Sequence, residues 1–255
     1  MQPHELRGWL FDLDGVLTDT ARSHAEAWRR TFDELLGRRR EAEGEHPALR
    51  PFDAVADYER YVDGRARHDG VRAFLASRGI TLPEGRPDDP PDAETVGGVG
   101  NAKNALFLEL VEEEGIDVFP ESRRLVAALV EAGRCTGVVS ASENCRAVLR
   151  AGRLGGLFYV VVDGVVARRE GLVGKPAPDT FLYGAALLQL DPAAVAVVED
   201  APAGVAAGRA GGFGYVVGVA RRAQPRQLLE AGADVVVGDL GDFAELFALL
   251  RRGVA

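Results

Sequence analysis

The sequence predicts an α/β fold in which a doubly wound parallel sheet carries an inserted α-helical domain. From about residue 117, helix patterns alternate with short runs of β-branched residues, as in parallel sheets that are covered by helices. An apolar run of strand type, residues 9–11, lies near the start of the sequence. Residues 21–115, in contrast, are helical in pattern and nearly free of strands. We therefore expect residues 1–20 and 116–255 to form the core, and residues 21–115 to form the inserted domain.

The first predicted strand leads directly into two acidic residues, Asp12 and Asp14, which are followed by Gly15. An apolar strand that ends in a polar turn presents its acids at the carboxyl edge of the sheet, where open α/β sheets bind ligands. Two acids separated by one residue can share a divalent cation, or one can attack while the other transfers a proton. A turn with two solvated acids is the alternative that this motif alone leaves open.

The inserted domain contains three helical patterns. They cover residues 25–36, 69–78 and 104–114. Gly37 and the charged run that follows it predict the end of the first helix. Residues 81–100, which are rich in proline, glycine and aspartate, predict an irregular loop.

The second half of the chain supplies the remaining strands and helices of the core. The predicted strands are residues 136–139, 158–162, 194–198, 215–219 and 235–237. The predicted helices are residues 125–132, 146–150, 179–190, 204–210 and 243–251.

The composition excludes several classes of function. Of the 255 residues, 47% are hydrophobic and 27% are charged, which is typical of a globular protein. The net charge of −9 argues against nucleic acid as a partner, and acids directly follow the dense basic run at residues 38–40. Cys135 and Cys145 are the only cysteines, and we expect both to be reduced. Neither a membrane span nor a signal peptide is apparent, so we expect a cytoplasmic protein.

Three later stretches carry polar residues that suit phosphate chemistry. Ser140 and Ser142 lie at a predicted strand-to-helix turn, where hydroxyls and backbone amides can hold an anion, although helix capping explains them equally well. Lys175, held by two prolines, could bind phosphate and offset crowded carboxylates, or could be a solvated surface lysine. Glu199 and Asp200 end another apolar strand, where a hard metal ion explains two adjacent carboxylates economically.

Taken in their order along the chain, each after its own predicted strand, the motifs resemble those of the haloacid dehalogenase superfamily of phosphotransferases and, more closely, of its β-phosphoglucomutase-like family. The resemblance rests on residues 11–20, His24, Ala27, Trp28, residues 63–69, residues 101–104, Ser140, Ala141, Ser142, Asn144, residues 175–179, Glu199 and Asp200. It covers both halves of the core, and it implies a Rossmann-like core beneath a helical cap domain.

The resemblance also implies the roles of the core residues. Asp12 would be the nucleophile that forms an aspartyl phosphate, and Asp14 would be the general acid and base. Mg²⁺ would be held by Asp12, the backbone carbonyl of Asp14 and Asp200, with Glu199 close by or bound through water.

The transferring phosphate, by the same resemblance, would be bound by Ser140, the Ala141 amide and Lys175. These roles fit phosphoryl transfer, in which the protein mainly aligns groups and neutralises charge.

In the helical domain, the resemblance implies that Arg67 binds the phosphate that is not transferred. His24 and Lys103 match positions that couple cap closure to the readiness of the acid/base residue. Trp28, together with Asn144 of the core, completes the expected substrate-binding set. From the residues alone, a structural histidine, a packing role for Trp28 and a surface arginine remain open alternatives.

Three functions follow as hypotheses. The first is a phosphomutase that interconverts β-glucose 1-phosphate, or a similar hexose phosphate, with the 6-phosphate through a bisphosphate. The second is a phosphatase that acts on sugar phosphates or other small molecules, and the third is a binding protein that has lost turnover. Extra residues at 38–51 and 82–98 leave the identity of the sugar open. We expect a monomer that binds a small phosphorylated sugar and neither nucleic acid nor a membrane.

Overall fold

The computed structural model describes residues 3–62, 65, 67–221 and 223–245, which fall into two compact units. The first unit comprises Met1–Thr20 and Ile116–Ala255, and the second comprises Ala21–Gly115. The second unit is therefore an insertion into the first.

In the described residues of the first unit, six strands pair in parallel to form a single sheet. The strands are β1 (Gly8–Phe11), β2 (Cys135–Val139), β3 (Val160–Val162), β4 (Val195–Glu199), β5 (Tyr215–Val219) and β6 (Val235–Val237). Their order in the sheet is β3-β2-β1-β4-β5-β6. Because the order reverses at β1 and parallel crossovers are right-handed, helices cover both faces of the sheet. The predicted doubly wound fold is confirmed.

Helices from the second half of the chain cover this sheet. They are α4 (Pro120–Glu131), α5 (Cys145–Ala151), α6 (Gly164–Glu170), α7 (Asp179–Leu187), α8 (Pro202–Ala210) and α9 (Pro225–Glu230). α7 packs on β1, β2 and β3, and α8 packs on β4 and β5. Because helices lie on both faces, the central strands β1 and β4 are buried along their whole length, and β4 is apolar up to its last residue, Glu199.

The second unit is built from α1 (Ala21–Glu43), α2 (Arg67–Ser77) and α3 (Val96–Glu114). Its core contains a group of aromatic rings contributed by Trp28, Phe32, Phe52 and Phe74. The rings of Phe32 and Phe74 are 4.0 Å apart between centroids, and Trp28 stacks on Phe32 at 5.1 Å. Among the described residues, no helix is both long and apolar enough to cross a bilayer.

The predicted end of the first helix at Gly37 is wrong, because α1 continues to Glu43. The charged run does not break the helix, since it forms ion pairs at helical spacing. Arg38 pairs with Glu34 at 2.7 Å and Arg39 pairs with Glu43 at 3.1 Å. Such pairs stabilise an exposed helical turn.

The irregular loop predicted over residues 81–100 ends earlier than expected, because α3 begins at Val96 rather than near residue 104. Thr95 caps the helix by accepting a hydrogen bond from the Gly98 amide.

Two short helices, α6 and α9, are absent from the sequence prediction. The predicted closing helix, residues 243–251, extends past residue 245, and residues 246–251 lie outside the described part of the chain.

Candidate active site

The pairing register of the sheet gathers the predicted core residues at one edge. Phe11 pairs with Val138 on one side and with Val198 on the other, so the next residue, Asp12, is level with Val139 and Glu199. The Asp12 amide donates to the Val198 carbonyl at 2.9 Å, which extends this pairing by one residue. This edge lies next to the reversal in strand order, where open α/β sheets bind ligands.

Lys175 connects the groups at this edge. Its ammonium donates to Asp12 Oδ1 at 2.5 Å, to Glu199 Oε1 at 2.7 Å and to the Val139 carbonyl at 3.0 Å. The Lys175 Nζ also lies 4.8 Å from the centroid of the Phe181 ring on α7. The Lys175 side chain is only 13% exposed, so it is not a solvated surface lysine.

Gly15 allows Asp200 to approach the loop after β1. Gly15 has a φ of +88°, and a Cβ added there would lie 1.9 Å from Asp200 Oδ2. A side chain at residue 15 would therefore be strained and would also displace the Asp200 carboxylate. Acids from β1 and β4 thus lie at the same edge of the sheet.

Asp14 has a hydrogen-bond partner within the same loop. The Thr20 hydroxyl donates to Asp14 Oδ1. The loop itself is closed by hydrogen bonds from the Gly15 amide to the Thr18 carbonyl at 2.8 Å and from the Leu17 amide to the Leu13 carbonyl at 2.9 Å. Asp14 therefore projects from a turn that its own backbone stabilises.

The turn after β2 holds Ser140 in a fixed position. Ser140 is buried, its amide donates to the Val162 carbonyl at 2.9 Å, and its hydroxyl accepts from the Ser142 amide at 3.1 Å. Ser142 in turn accepts from the Asn144 amide at 3.2 Å, and Asn144 precedes α5. Both serines therefore bond to backbone amides within the turn, but neither caps α5, whose N-cap residue is Asn144 and has no side-chain cap hydrogen bond.

Three other acidic side chains and one lysine lie close enough at this edge to shift the pKa of Asp12. Burial raises the pKa of Asp12 well above its usual value; Lys175 opposes this, and Glu199, Asp200 and Asp14 raise the pKa further. Burial alone would lower the pKa of Lys175, but Asp12 and Glu199 raise it above its usual value. The ammonium therefore stays charged, and the remaining negative charge favours binding of a further cation.

The residues at this edge fit a hard metal ion in ligand type and charge. Asp12 and Asp200 offer carboxylate oxygens, the ligands that Mg²⁺ prefers. Both carboxylate oxygens of Glu199 accept hydrogen bonds: Oε1 from the Lys175 ammonium, and Oε2 from the Ala201 amide at 2.8 Å. Within the described ranges, no three His, Cys, Asp or Glu side chains converge into a group that could hold a metal ion. The predicted set of metal ligands therefore stays a prediction.

In the second unit, His24 and Lys103 form a close pair inside an aromatic frame. Lys103 Nζ lies 2.6 Å from His24 Nδ1, and the His24 ring stacks on Phe107 at 4.1 Å. The same ammonium lies 5.3 Å from the centroid of the Trp28 ring. Because an ammonium can only donate, we assign Nδ1 as the acceptor and place the proton of neutral His24 on Nε2. The pairing of His24 with Lys103 and the packing of Trp28 are thus both observed.

Arg67 is the first residue of α2, and it is partly buried. Of the predicted motif at residues 63–69, positions 63, 64 and 66 lie outside the described residues. Arg67 and the pair formed by His24 and Lys103 belong to the second unit, whereas the acids, serines and Lys175 belong to the first.

Three contacts in and around the predicted set of site residues were not predicted from the sequence. Thr20 is the partner of Asp14, the Ala201 amide holds Glu199, and Gly100 packs against His68 and Arg67. These contacts depend on the tertiary arrangement, and no local pattern predicts them.

Comparison with known proteins gives a match to a family model and to curated relatives. The model for haloacid dehalogenase-like hydrolases matches residues 6–212. The β-phosphoglucomutase of Mycobacterium tuberculosis is 52% identical over 243 residues, which are 94% of this chain and 92% of that protein. Hexitol phosphatase A of Escherichia coli is 31% identical over 234 residues, which are 92% of this chain and 91% of that protein.

Solved structures share the fold. The β-phosphoglucomutase of Clostridium difficile superimposes with a TM-score of 0.72 at 23% identity, covering 97% of each chain. At this level of identity, the likeness supports the architecture alone.

Proposed function

Because this chain belongs to the haloacid dehalogenase superfamily and to its β-phosphoglucomutase-like family, we propose that it interconverts β-glucose 1-phosphate and glucose 6-phosphate. The resemblance inferred from the motifs is confirmed at the level of the family. The observation that carries the proposal is the identity with the mycobacterial β-phosphoglucomutase along almost the whole chain.

The proposed reaction has two halves, which share Asp12 and Asp14. In the first, an Asp12 oxygen attacks phosphorus, the bond from phosphorus to the sugar oxygen breaks, and Asp14 protonates the leaving oxygen. In the second, Asp14 takes the proton of an incoming sugar hydroxyl, which attacks the aspartyl phosphate and releases Asp12. The hydrogen bond from Thr20 supports this role, because it orients the Asp14 carboxylate.

The transferring phosphate would be bound by Ser140, the Ala141 amide and Lys175. Lys175 already contacts the nucleophile, so its charge would offset the repulsion between the Asp12 carboxylate and an anionic phosphate. Mg²⁺, held by Asp12, the Asp14 carbonyl and Asp200 with Glu199 close by, would supply further neutralising charge.

The second unit would act as the cap. Arg67 suits a phosphate that is held but not transferred, because its planar fork can donate paired hydrogen bonds. His24 with Lys103 would link the cap to Asp14, and Trp28 and Asn144 would contact the sugar. A mutase needs such a cap, because water must not reach the aspartyl phosphate.

The experiment is product analysis with purified protein, Mg²⁺, β-glucose 1-phosphate and a trace of glucose 1,6-bisphosphate. Formation of glucose 6-phosphate with little free phosphate is expected. If no 6-phosphate forms even with the bisphosphate added, the mutase proposal is wrong.

A sugar-phosphate or other small-molecule phosphatase is the second candidate, favoured by the 31% identity with hexitol phosphatase A. In that case, water would replace the sugar hydroxyl in the second half-reaction. Release of inorganic phosphate faster than isomerisation, across a panel of hexose and hexitol phosphates, would favour this candidate. The predicted cytoplasmic location and monomeric state stay predictions.

A further inference from the structure

The start of α2 packs against α3 at a glycine, which has no side chain to keep the two helices apart. Gly100 lies on α3, and a Cβ added there would lie 2.6 Å from His68 Cδ2 and 3.0 Å from His68 Nε2. The same Cβ would lie 3.4 Å from Arg67 Cδ. The His68 ring therefore occupies space that any other residue at position 100 would need.

This contact lies on the same face of α3 as Lys103, which pairs with His24. Gly100, Lys103 and Phe107 are separated by three and four residues, so they lie along one side of the helix. On the neighbouring helix, Gly70 approaches Val62 and Trp28, since a Cβ there would lie 3.2 Å and 3.5 Å from them. Two glycines thus bring the first turn of α2 close to α1 and α3.

A second set of contacts ties the start of α2 to the segment at residues 82–95. Arg72 of α2 donates to Glu84 at 2.7 Å and to Asp69 at 2.6 Å. The pKa of Glu84 is held below its usual value by Arg72, with a contribution from the charge of His68. Asn101 of α3 donates to the Asp89 carbonyl at 2.8 Å, which anchors the same segment on α3.

We propose that Gly100 and His68 form a seat that positions Arg67 for the phosphate that is not transferred. This inference rests on the function proposed above. With the His68 ring seated against Gly100, Arg67 Cδ lies within van der Waals reach of the same point on α3, so the seat also limits where the Arg67 side chain can lie. Gly100 and His68 are positioning residues, since neither is required to touch the substrate.

The test is the variant Gly100→Ala, with Gly37→Ala in α1 as the matched control. Only Arg40 Nη2, at 4.0 Å, approaches a Cβ added at residue 37, so this substitution has room. In the Asp12→Asn background, which cannot turn over, we expect Gly100→Ala to raise the Kd for glucose 1,6-bisphosphate about 10-fold or more, because small displacements of a positioning group are costly. Gly37→Ala should leave this Kd within about twofold of the parent value.

A double-mutant cycle with His68→Ala identifies the cause. If the added methyl group acts by displacing the His68 ring, then Gly100→Ala should have little further effect once His68 is alanine. His68→Ala alone should weaken bisphosphate binding, which keeps the proposal testable if Gly100→Ala does not fold.

Three outcomes would overturn the seat: unchanged bisphosphate affinity in both variants, additive effects of the two substitutions, or an equal rise in the KM for an aryl phosphate when Gly100→Ala is made with Asp12 intact. The last outcome counts because an aryl phosphate has no second phosphate. Isomerisation by the wild-type protein is measured separately, so a failure of the mutase proposal can be told apart from a failure of the seat.

Discussion

At the scale of single residues, Lys175 is the group on which the charge balance of the site depends. It lies between the buried carboxylates of Asp12 and Glu199. Removing one partner of a buried ion pair leaves an uncompensated charge and is strongly destabilising. We expect Lys175→Met to lower the free energy of unfolding by about 3 to 5 kcal/mol in metal-free buffer. Added Mg²⁺ should recover part of this loss, because a bound cation replaces the missing charge.

Urea unfolding of wild type and Lys175→Met, each in EDTA and in excess Mg²⁺, measures this effect. Arg226→Met is the control, because its ion pair with Glu230 is exposed and should be worth less than about 0.5 kcal/mol. An equal loss with and without Mg²⁺ would mean that a bound cation does not compensate for the missing ammonium.

Substitution of Asp12 tests whether the protein is an enzyme or a binding protein without turnover. Asp12→Asn keeps the shape of the side chain but removes the nucleophilic oxygen, so both isomerisation and phosphate release should fall by at least about 10⁴-fold. Beryllium fluoride with Mg²⁺, which mimics an acyl phosphate, should raise the Tm of the wild type but not that of Asp12→Ala. Asp88→Asn, at an exposed ion pair with Arg86, is the control and should behave as wild type. A wild-type protein whose Tm does not respond would favour binding without turnover.

The motifs predict most of the core site, and the sequence holds one further signal that they do not use. Lys103 and Lys175 are the only two lysines among 30 basic residues. Each ammonium bonds at short range in a largely buried setting, where a compact cation takes less space than the wide fork of an arginine. In a chain that otherwise uses arginine, each lysine thus marks a position that needs a small cation. The contact between Thr20 and Asp14 has no such signal, because it depends on how the loop folds back.

At the scale of elements, the strands are predicted well and the helices of the second unit less well. A strand buried on both faces is a short apolar run between polar turns, as in β4, and its limits are visible in the sequence. Helix limits in the second unit depend on tertiary contacts instead. Gly97 and Gly98 predict a loop, yet both lie in α3. Glycine is needed at these two helical positions because a Cβ at either would lie less than 2.5 Å from a backbone carbonyl of the 82–95 segment.

A buried ion pair joins Asp57, which precedes α2, to Arg78, which follows it. Arg78, which follows α2, donates to Asp57 Oδ2 at 2.7 Å and to the carbonyls of Ala48 and Arg50 at 3.0 Å and 2.9 Å. The side chains of Asp57 and Arg78 are each 4% exposed. Burial raises the pKa of Asp57, but the Asp53 amide, Arg50 and Arg78 outweigh burial and hold this pKa below its usual value.

Asp57→Asn should therefore destabilise the protein by about 3 kcal/mol at neutral pH, because it leaves Arg78 buried without its countercharge. The folded-state pKa of Asp57 is depressed, so its contribution is fully present above the unfolded pKa of about 3.9 and is lost as the pH falls through the folded pKa. The difference in stability between wild type and variant should be constant above about pH 5 and should narrow below about pH 4.

Denaturant unfolding from pH 7 to pH 3 measures this difference. Glu34→Gln, which breaks the exposed pair with Arg38, is the control and should cost less than about 0.5 kcal/mol. A difference that stays constant down to the lowest pH would show that the charge of Asp57 does not cause the destabilisation.

At the scale of the whole molecule, the two units have separate cores, and the chain leaves and re-enters the first unit at neighbouring points. One core is built on the sheet around Leu10, Phe181 and Val197, and the other on the aromatic group of the second unit. The Asp19 amide donates to the Asp117 carbonyl at 2.9 Å, and the Phe119 amide donates to the Leu17 carbonyl at 3.0 Å. The two connecting segments are thus paired before the insertion begins, so a short linker can replace it.

A chain in which about four Gly and Ser residues replace residues 21–115 should therefore fold, because such a short turn closes the antiparallel pair without the entropy cost of closing a long loop. We expect cooperative unfolding by circular dichroism and hydrolysis of an aryl phosphate that Asp12→Asn abolishes. Isomerisation of β-glucose 1-phosphate should fall at least about 100-fold, because the shortened chain lacks Arg67 and the groups that exclude water. If the shortened chain isomerises as fast as the full chain, the second unit is not the cap of a mutase. If it lacks cooperative unfolding, the sheet depends on the insertion for its stability.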